Sequence, residues 1–298
     1  MKQYLAQAKT VIGFSSPVAG GFLLNMLGNI IPIFFIAKLG KYDLAAAALA
    51  TISFVTLSQL GMGLLNAVGI LISHQKESGK TDEVGLIFRT GLLLCLLLAA
   101  IFTLIFFNLD KFLLLINQQP RLVRLAVPFF HAAGPNVLFV MLTACVAQFY
   151  VGVGRPRVFL YMSMVATPLI GVLSYGLILG KLGMPQLGLS GMMVAAMMSN
   201  VALFFSMLFI LIASKDNACY GLLGFNRWIS LSASRRVIKL GAPISIQQGA
   251  ELVLITLYTY MMGWFGADAL SAAQIVNQYV IVSCAFYIGC SQGVSILS

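Results

Sequence analysis

Along this chain polar residues gather at intervals, and the stretches between them are almost wholly apolar. Charge-free runs occupy Thr10–Ala37, Leu44–Ser73, Thr90–Leu109, Val158–Gly180, Leu182–Ser214 and Ala269–Ser298. Two more are interrupted once each, Leu125–Gly154 by His131 and Leu240–Ala267 by Glu251. Each run supplies the roughly 20 residues that a bilayer-spanning helix requires. The pattern predicts an all-α membrane protein, a polytopic bundle of about eight helices, because inside lipid a helix satisfies its own backbone groups. A β-barrel would show polarity alternating over strands of about 10 residues, and no such alternation is seen.

Composition reinforces this reading. Charged residues make up 9% of the chain, hydrophobic ones 60%, and the mean hydropathy is +0.98. A soluble domain carries about 25% charged residues, so water cannot be the solvent for most of this surface. The first run is too long for the 7–15-residue core of a cleavable leader and lacks a small-residue cleavage pattern. Cys95, Cys145, Cys219, Cys284 and Cys290 have no metal-ligand spacing, and four of them lie in apolar runs, so inert packing is expected.

The net charge of +10 acquires meaning from its distribution. With a cytoplasmic amino terminus, the inner side receives Lys2, Lys9, Lys76, Lys80, Arg89, Arg155, Arg157, Lys215, Arg227, Arg235, Arg236 and Lys239. The outer side receives only Lys38, Lys41, Lys111, Arg121, Arg124 and Lys181. That bias fits the positive-inside rule. The basic surplus is therefore a topology signal, and no nucleic-acid partner is expected.

A shift of 226 residues aligns the chain with itself. Val11, Ile12 and Pro17 fall on Val237, Ile238 and Pro243; Gly40, Leu44, Ala46 and Ala47 fall on Gly266, Leu270, Ala272 and Ala273. Gly63, Val68, Ile70 and Leu71 fall on Gly289, Val294, Ile296 and Leu297. Six spans separate the windows, so spans one and seven run in the same direction, as in parallel repeats of secondary transporters. The expected organisation is a six-helix N-lobe over 1–213, a cytoplasmic inter-lobe linker over 214–239, and the first two helices of a C-lobe over 240–298. The linker's basic cluster suits contact with anionic headgroups. Because the eighth span is still apolar at Ser298, about four further spans are expected for a complete second lobe.

Of the eight acidic residues, Glu251 alone lies within a span. A charge at that depth costs at least about 2.5–3.5 kcal/mol on insertion scales. A carboxyl held there, buried and poised between protonated and ionised forms, can trade a proton or small cation as water access changes. Gln247 and Gln248 lie one turn before it and Tyr258 two turns after, giving one polar stripe on span seven. Asn25, which aligns with Glu251 in the repeat, and Asn29 give span one a matching stripe, and Gln274, Asn277 and Gln278 supply span eight. These stripes could line a cavity between the lobes. Alternatively the amides are interhelical hydrogen bonds, each contributing about 0.6 kcal/mol.

Pro32, Pro135 and Pro168 are expected to kink their helices, and Gly176/Gly180 and Gly289/Gly293 to allow close helix approach. His131 is expected to be a packed or interfacial histidine. Phosphate-binding glycine loops, metal clusters and nucleophile–base pairs are absent from the sequence, so enzymatic activity and ATP hydrolysis are not expected and an ion gradient would supply the energy.

Several segments resemble the multidrug and toxic compound extrusion (MATE) family, in its bacterial branch. Ser16-Pro17 and Gly241-Ala242-Pro243 look like its openings to spans one and seven. Phe265 to Gln274 resembles its approach to span eight, Gly180 to Gly188 its turn between spans five and six, and Gly154-Arg155-Pro156-Arg157 its loop between spans four and five. The resemblance implies a MATE-like pair of six-helix lobes around a central cavity. It also implies antiport of H⁺ or Na⁺ against amphipathic, often cationic, drug-like molecules, with no other cofactor. Glu251 falls where cation-coupled members carry an acidic residue in span seven. Two positions depart from the pattern: Pro32 stands where many members have an aspartate, and Ser174 and Tyr175 follow the Pro-Leu of span five where asparagine is common.

The sequence thus predicts an exporter of a multi-pass bacterial inner membrane, surrounded by lipid, with Glu251 as the coupling carboxyl. A lipid-linked oligosaccharide flippase of the wider superfamily is an alternative, disfavoured because the spans contain no basic residues. An inactive remnant is another, since two C-lobe helices without lobe partners are expected to be unstable. Oligomeric state, substrate range and coupling ion are not encoded legibly.

Overall fold

A computed structural model describes Leu24, residues 27–155, 157–214, Tyr220 and residues 231–280. The described chain is helical throughout. Helix α1 covers Leu27–Ala37, α2 Lys41–Glu77, α3 Thr81–Phe106, α4 Leu109–Leu115 and α5 Pro120–Gly152. Helices α6 (Arg157–Leu179), α7 (Leu189–Ala213) and α8 (Leu231–Trp264) follow, and residues 267–280 form α9. Six of these are long and apolar enough to span a bilayer, and α1 is a shorter apolar helix. The all-helical membrane architecture read from the hydrophobic runs is thus observed. One element was not anticipated: the short α4, which carries Asp110 and Lys111 between two spanning helices.

The centre of the first bundle is α5, which packs against α2, α3 and α7, while α6 joins through α7. Large rings fill the interior. Phe149 meets Phe88 at 4.9 Å between ring centroids, and Phe54 stacks on Phe106 at 5.6 Å. Phe129, Phe130 and Tyr150 are buried beside them. Where helices come closest, glycine replaces the ring: a Cβ on Gly152 would meet the Gly69 carbonyl oxygen at 2.7 Å, and one on Gly191 the Leu177 carbonyl oxygen at 2.6 Å. Pro135 and Pro168 lie inside α5 and α6 as expected, with Pro128 and Pro243 also internal to helices.

Helix α1 lies along α6. Thr167 donates to the Leu24 carbonyl at 3.0 Å, Gly28 faces Ile170, and Phe35 meets Tyr175 edge-on. The Gly176/Gly180 pair divides its roles: Gly176 accommodates Met184, whereas Gly180 takes φ +68° and ends α6. Gly289 and Gly293 lie outside the described residues.

The 226-residue register is visible in the backbone. Gly40, with φ +134°, precedes α2 at Lys41; Gly266, with φ +107°, precedes α9 at residue 267. Both glycines adopt a backbone that other residues rarely take, so the same turn punctuates both places. Helix α8 begins at Leu231, inside the stretch expected to be linker, so residues 231–239 extend the seventh helix. Their sequence, Leu-Ser-Ala-Ser-Arg-Arg-Val-Ile-Lys, contains no helix breaker, which explains the extension.

Candidate functional site

Helix α8 docks along α2 through small residues and hydroxyls. A Cβ on Gly63 would lie 2.5 Å from Ser245 Cα, one on Gly241 2.8 Å from Leu64 Cα, and one on Gly249 against the Leu60 side chain. Towards the other end, the Thr56 and Thr256 hydroxyls are 2.6 Å apart and the Ser53 and Tyr260 hydroxyls 2.8 Å apart. Thr256 and Ser53 already donate to the carbonyls of Leu252 and Leu49. Thr56 and Tyr260 are therefore the donors across the seam. Both ends carry further polar contacts. Arg236 pairs with Glu83 of α3 at 3.0 Å. At the opposite end Gln118 donates to the Tyr260 carbonyl at 2.7 Å and Trp264 to the Ile116 carbonyl at 2.9 Å. There too Lys41 pairs with Asp268 at 2.9 Å, and Ser271 donates to the Lys41 carbonyl.

This docking decides where the candidate residues point. Gly241, Ser245, Gly249, Thr256 and Gly263 are buried and occupy the α2-facing side of α8. At about 100° per residue, Glu251, Gln247 and Tyr258 fall on the opposite side. All three are exposed among the described residues, Tyr258 to 47%. The burial expected for Glu251 is therefore not provided by the first bundle or α9: the small residues permit the closer approach to α2 and so take the packed face. Gln248 sits at the edge of the seam, half-buried, with its side-chain oxygen buried and without a partner among the described residues. The single polar stripe expected on span seven is thus divided.

Helix α9 contributes differently. Gln274, 5% exposed, and Gln278 are four residues apart on one face, and with Ile275 and Tyr279 they line a groove of about 320 Å³. Its other wall is Ile30, Ile33, Phe34 and Ala37 of α1, with Leu44 of α2. The Gln278 side-chain oxygen is buried there without a partner among the described residues. The structure thus brings Gln274 and Gln278 to the α1 face but does not bring Glu251, Gln247 or Tyr258 to the same groove. Asn277 is half-buried on α9 and Asn29 exposed on α1; Asn25 lies outside the described residues.

A polar network missed in the sequence sits inside the first bundle. Asn136 of α5 donates to Met193 Sδ at 2.8 Å and accepts from Asn200 of α7 at 3.1 Å, and Thr143 donates to the Asn200 carbonyl. A second bond joins Gln148 of α5 to Asn66 of α2 at 2.7 Å. Amides embedded in apolar runs were the available signal. Among the described residues no three His, Cys, Asp or Glu side chains converge as a metal site would require. His131 is exposed with its ring edge-on to Phe107, and Cys95 and Cys145 are buried free thiols. Cys219, Cys284 and Cys290 lie outside the described residues.

Long apolar helices, a largely apolar groove between α1 and α9 with two glutamines in its wall, and a small-residue seam define a multi-pass helical membrane protein. The family model described as MatE matches residues 17–175. The chain belongs to the MatE family. It is 30% identical over 282 residues to a protein named "Probable multidrug resistance protein NorM" of Rhizobium meliloti (strain 1021), covering 93% of this chain and 59% of that protein. A protein of the same name from Synechocystis sp. is 26% identical over 282 residues, covering 93% and 60%. The chain thus spans about three fifths of the length of these curated relatives. Among solved structures, the outward-facing conformation of a multidrug resistance MATE transporter superposes with a TM-score of 0.81 at 17% identity, covering 97% of this chain and 64% of that one. The inward-facing conformation of a MATE family transporter gives 0.75 at 16% identity, covering 91% and 60%.

Proposed function

We propose that this chain serves multidrug export by alternating access, driven by exchange of H⁺ or Na⁺, in a bacterial inner membrane with its amino terminus cytoplasmic. The observation that carries the reading is the repeated glycine-led turn, Gly40 into α2 and Gly266 into α9, joined to the α2–α8 seam. Two equivalent helical hairpins meet there along small residues, which is the geometry a rocking pair of lobes requires. The relatives named as multidrug resistance proteins support the substrate class: amphipathic, drug-sized molecules, many of them cationic.

Glu251 is the coupling group in this proposal. Its position on the face of α8 turned away from the first bundle suits a carboxyl whose partners come from the second lobe. Gln274 and Gln278 offer amide groups to a substrate in the α1–α9 groove, with Ile30, Ile33 and Phe34 supplying apolar contact. In vesicles where the protein drives export of a fluorescent lipophilic cation, Glu251→Gln abolishes gradient-driven export at unchanged membrane abundance. Export persisting at the parent rate removes Glu251 from the mechanism.

A further inference from the structure

At the end of the fold where α2 and α5 begin, Tyr42, Asp43, Arg121, Arg124 and Leu125 line a pocket of about 400 Å³. The Arg121 guanidinium carbon lies over the Tyr42 ring, 3.7 Å from its centroid, a cation–π contact that holds it in place. Arg124 donates through Nε to the Pro120 carbonyl at 3.3 Å, leaving its two Nη groups for another acceptor. The neighbouring Lys41 is already neutralised by Asp268. Among the described residues, neither arginine forms an ion pair with a carboxylate, and Asp43 forms none with a base. Charges of both signs therefore face one pocket without meeting across it.

Helix stability does not account for the arginines. Both lie in the first turns of α5, where the helix dipole disfavours cations; Asp43, in the first turn of α2, is by contrast favourably placed. With the amino terminus inside, this end also faces the side on which basic residues are depleted. The pocket sits where two spanning helices leave the apolar zone, at headgroup depth. A pair of guanidiniums suits phosphate oxygens, because their planar N–H forks bind such groups bidentately. A lone carboxylate beside them suits a primary ammonium.

We propose that this pocket binds the headgroup of a phosphatidylethanolamine molecule, with phosphate on Arg121 and Arg124 and ammonium on Asp43. The site is separate from the α1–α9 groove and independent of what the protein exports. The test places the whole chain in phosphatidylcholine nanodiscs doped with photoreactive phosphatidylethanolamine, phosphatidylglycerol or phosphatidylcholine, and maps the labelled peptides. The ethanolamine lipid labels the segments around residues 41–43 and 120–125 several-fold more than the other two. Arg121→Gln with Arg124→Gln removes that labelling, and Asp43→Asn abolishes the preference for ethanolamine over glycerol lipid. In the unsubstituted protein, excess soluble glycerophosphoethanolamine reduces the labelling, a readout that needs no variant to fold. Equal labelling by the three lipids, or labelling unaffected by both sets of substitutions, overturns the proposal. Binding of the soluble headgroup without lipid labelling overturns the lipid assignment.

Discussion

The two principal seams of this molecule are built from opposite materials. Around α5, helices meet through Phe88, Phe129, Phe130, Phe149 and Tyr150, whose interlocked rings fix one arrangement. Between α2 and α8 they meet through Gly63, Gly241, Ser245, Gly249 and two hydroxyl pairs. Dense aromatic packing resists displacement, because every ring moved forfeits many dispersion contacts at once. A glycine and hydroxyl seam has no deep interdigitation to undo, and a hydroxyl can exchange one partner for another along a helix. In the alternating-access mechanism proposed above, the first bundle moves as a body and this seam is where it moves.

Three substitutions sharpen that contrast. The largest effect falls in the aromatic core: Phe149→Ala lowers stability by about 3–5 kcal/mol, the usual range for emptying a buried aromatic site. Thermal unfolding in detergent measures it. Next comes Gly63→Leu, where the new side chain meets Ser245 backbone 2.5 Å from the Cβ position and cannot be accommodated by rotating a neighbour. The strain, about 1–3 kcal/mol, drives α8 away from α2. A Thr56→Cys/Thr256→Cys pair cross-links readily in the parent and fails to do so with Gly63→Leu, while melting of the first bundle is unchanged. The smallest effect is the hydroxyl pair itself: a double-mutant cycle on Thr56→Val and Thr256→Val returns a coupling of about 0.6 kcal/mol. A coupling several times larger would make the seam a rigid joint.

The sequence revealed the spans and the repeat more clearly than the side-chain directions. Charge-free runs carry the span signal directly, since lipid tolerates few charges, and the structure places helices in each described run. The turn glycines Gly40 and Gly266 were legible because their backbone conformation demands glycine. The facing of Glu251 was not legible. Its depth in a span says that a charge is special, but which side of α8 is packed depends on where Gly241, Ser245 and Gly249 find a complementary surface. That surface is contributed by Gly63 and Thr56, roughly 190 residues away in the chain. Gln274 and Gln278 illustrate the converse, since their four-residue spacing placed them on one face before any partner was known. The Asn136–Asn200 contact escaped notice because a single amide in an apolar run carries no directional signal.

The most direct test of one bundle moving against one seam is a pair of distance measurements by spin labelling. Labels at Leu97 of α3 and Phe205 of α7, both exposed, report on the first bundle. Labels at Leu97 and Leu257 of α8, also exposed, report across the seam. When a lipophilic cation is added or a proton or sodium gradient is imposed, the account predicts a shifted or newly split Leu97–Leu257 distribution with the Leu97–Phe205 distribution unchanged. A Leu97–Phe205 distance that changes as much as Leu97–Leu257, or a seam distance that never responds, would contradict it.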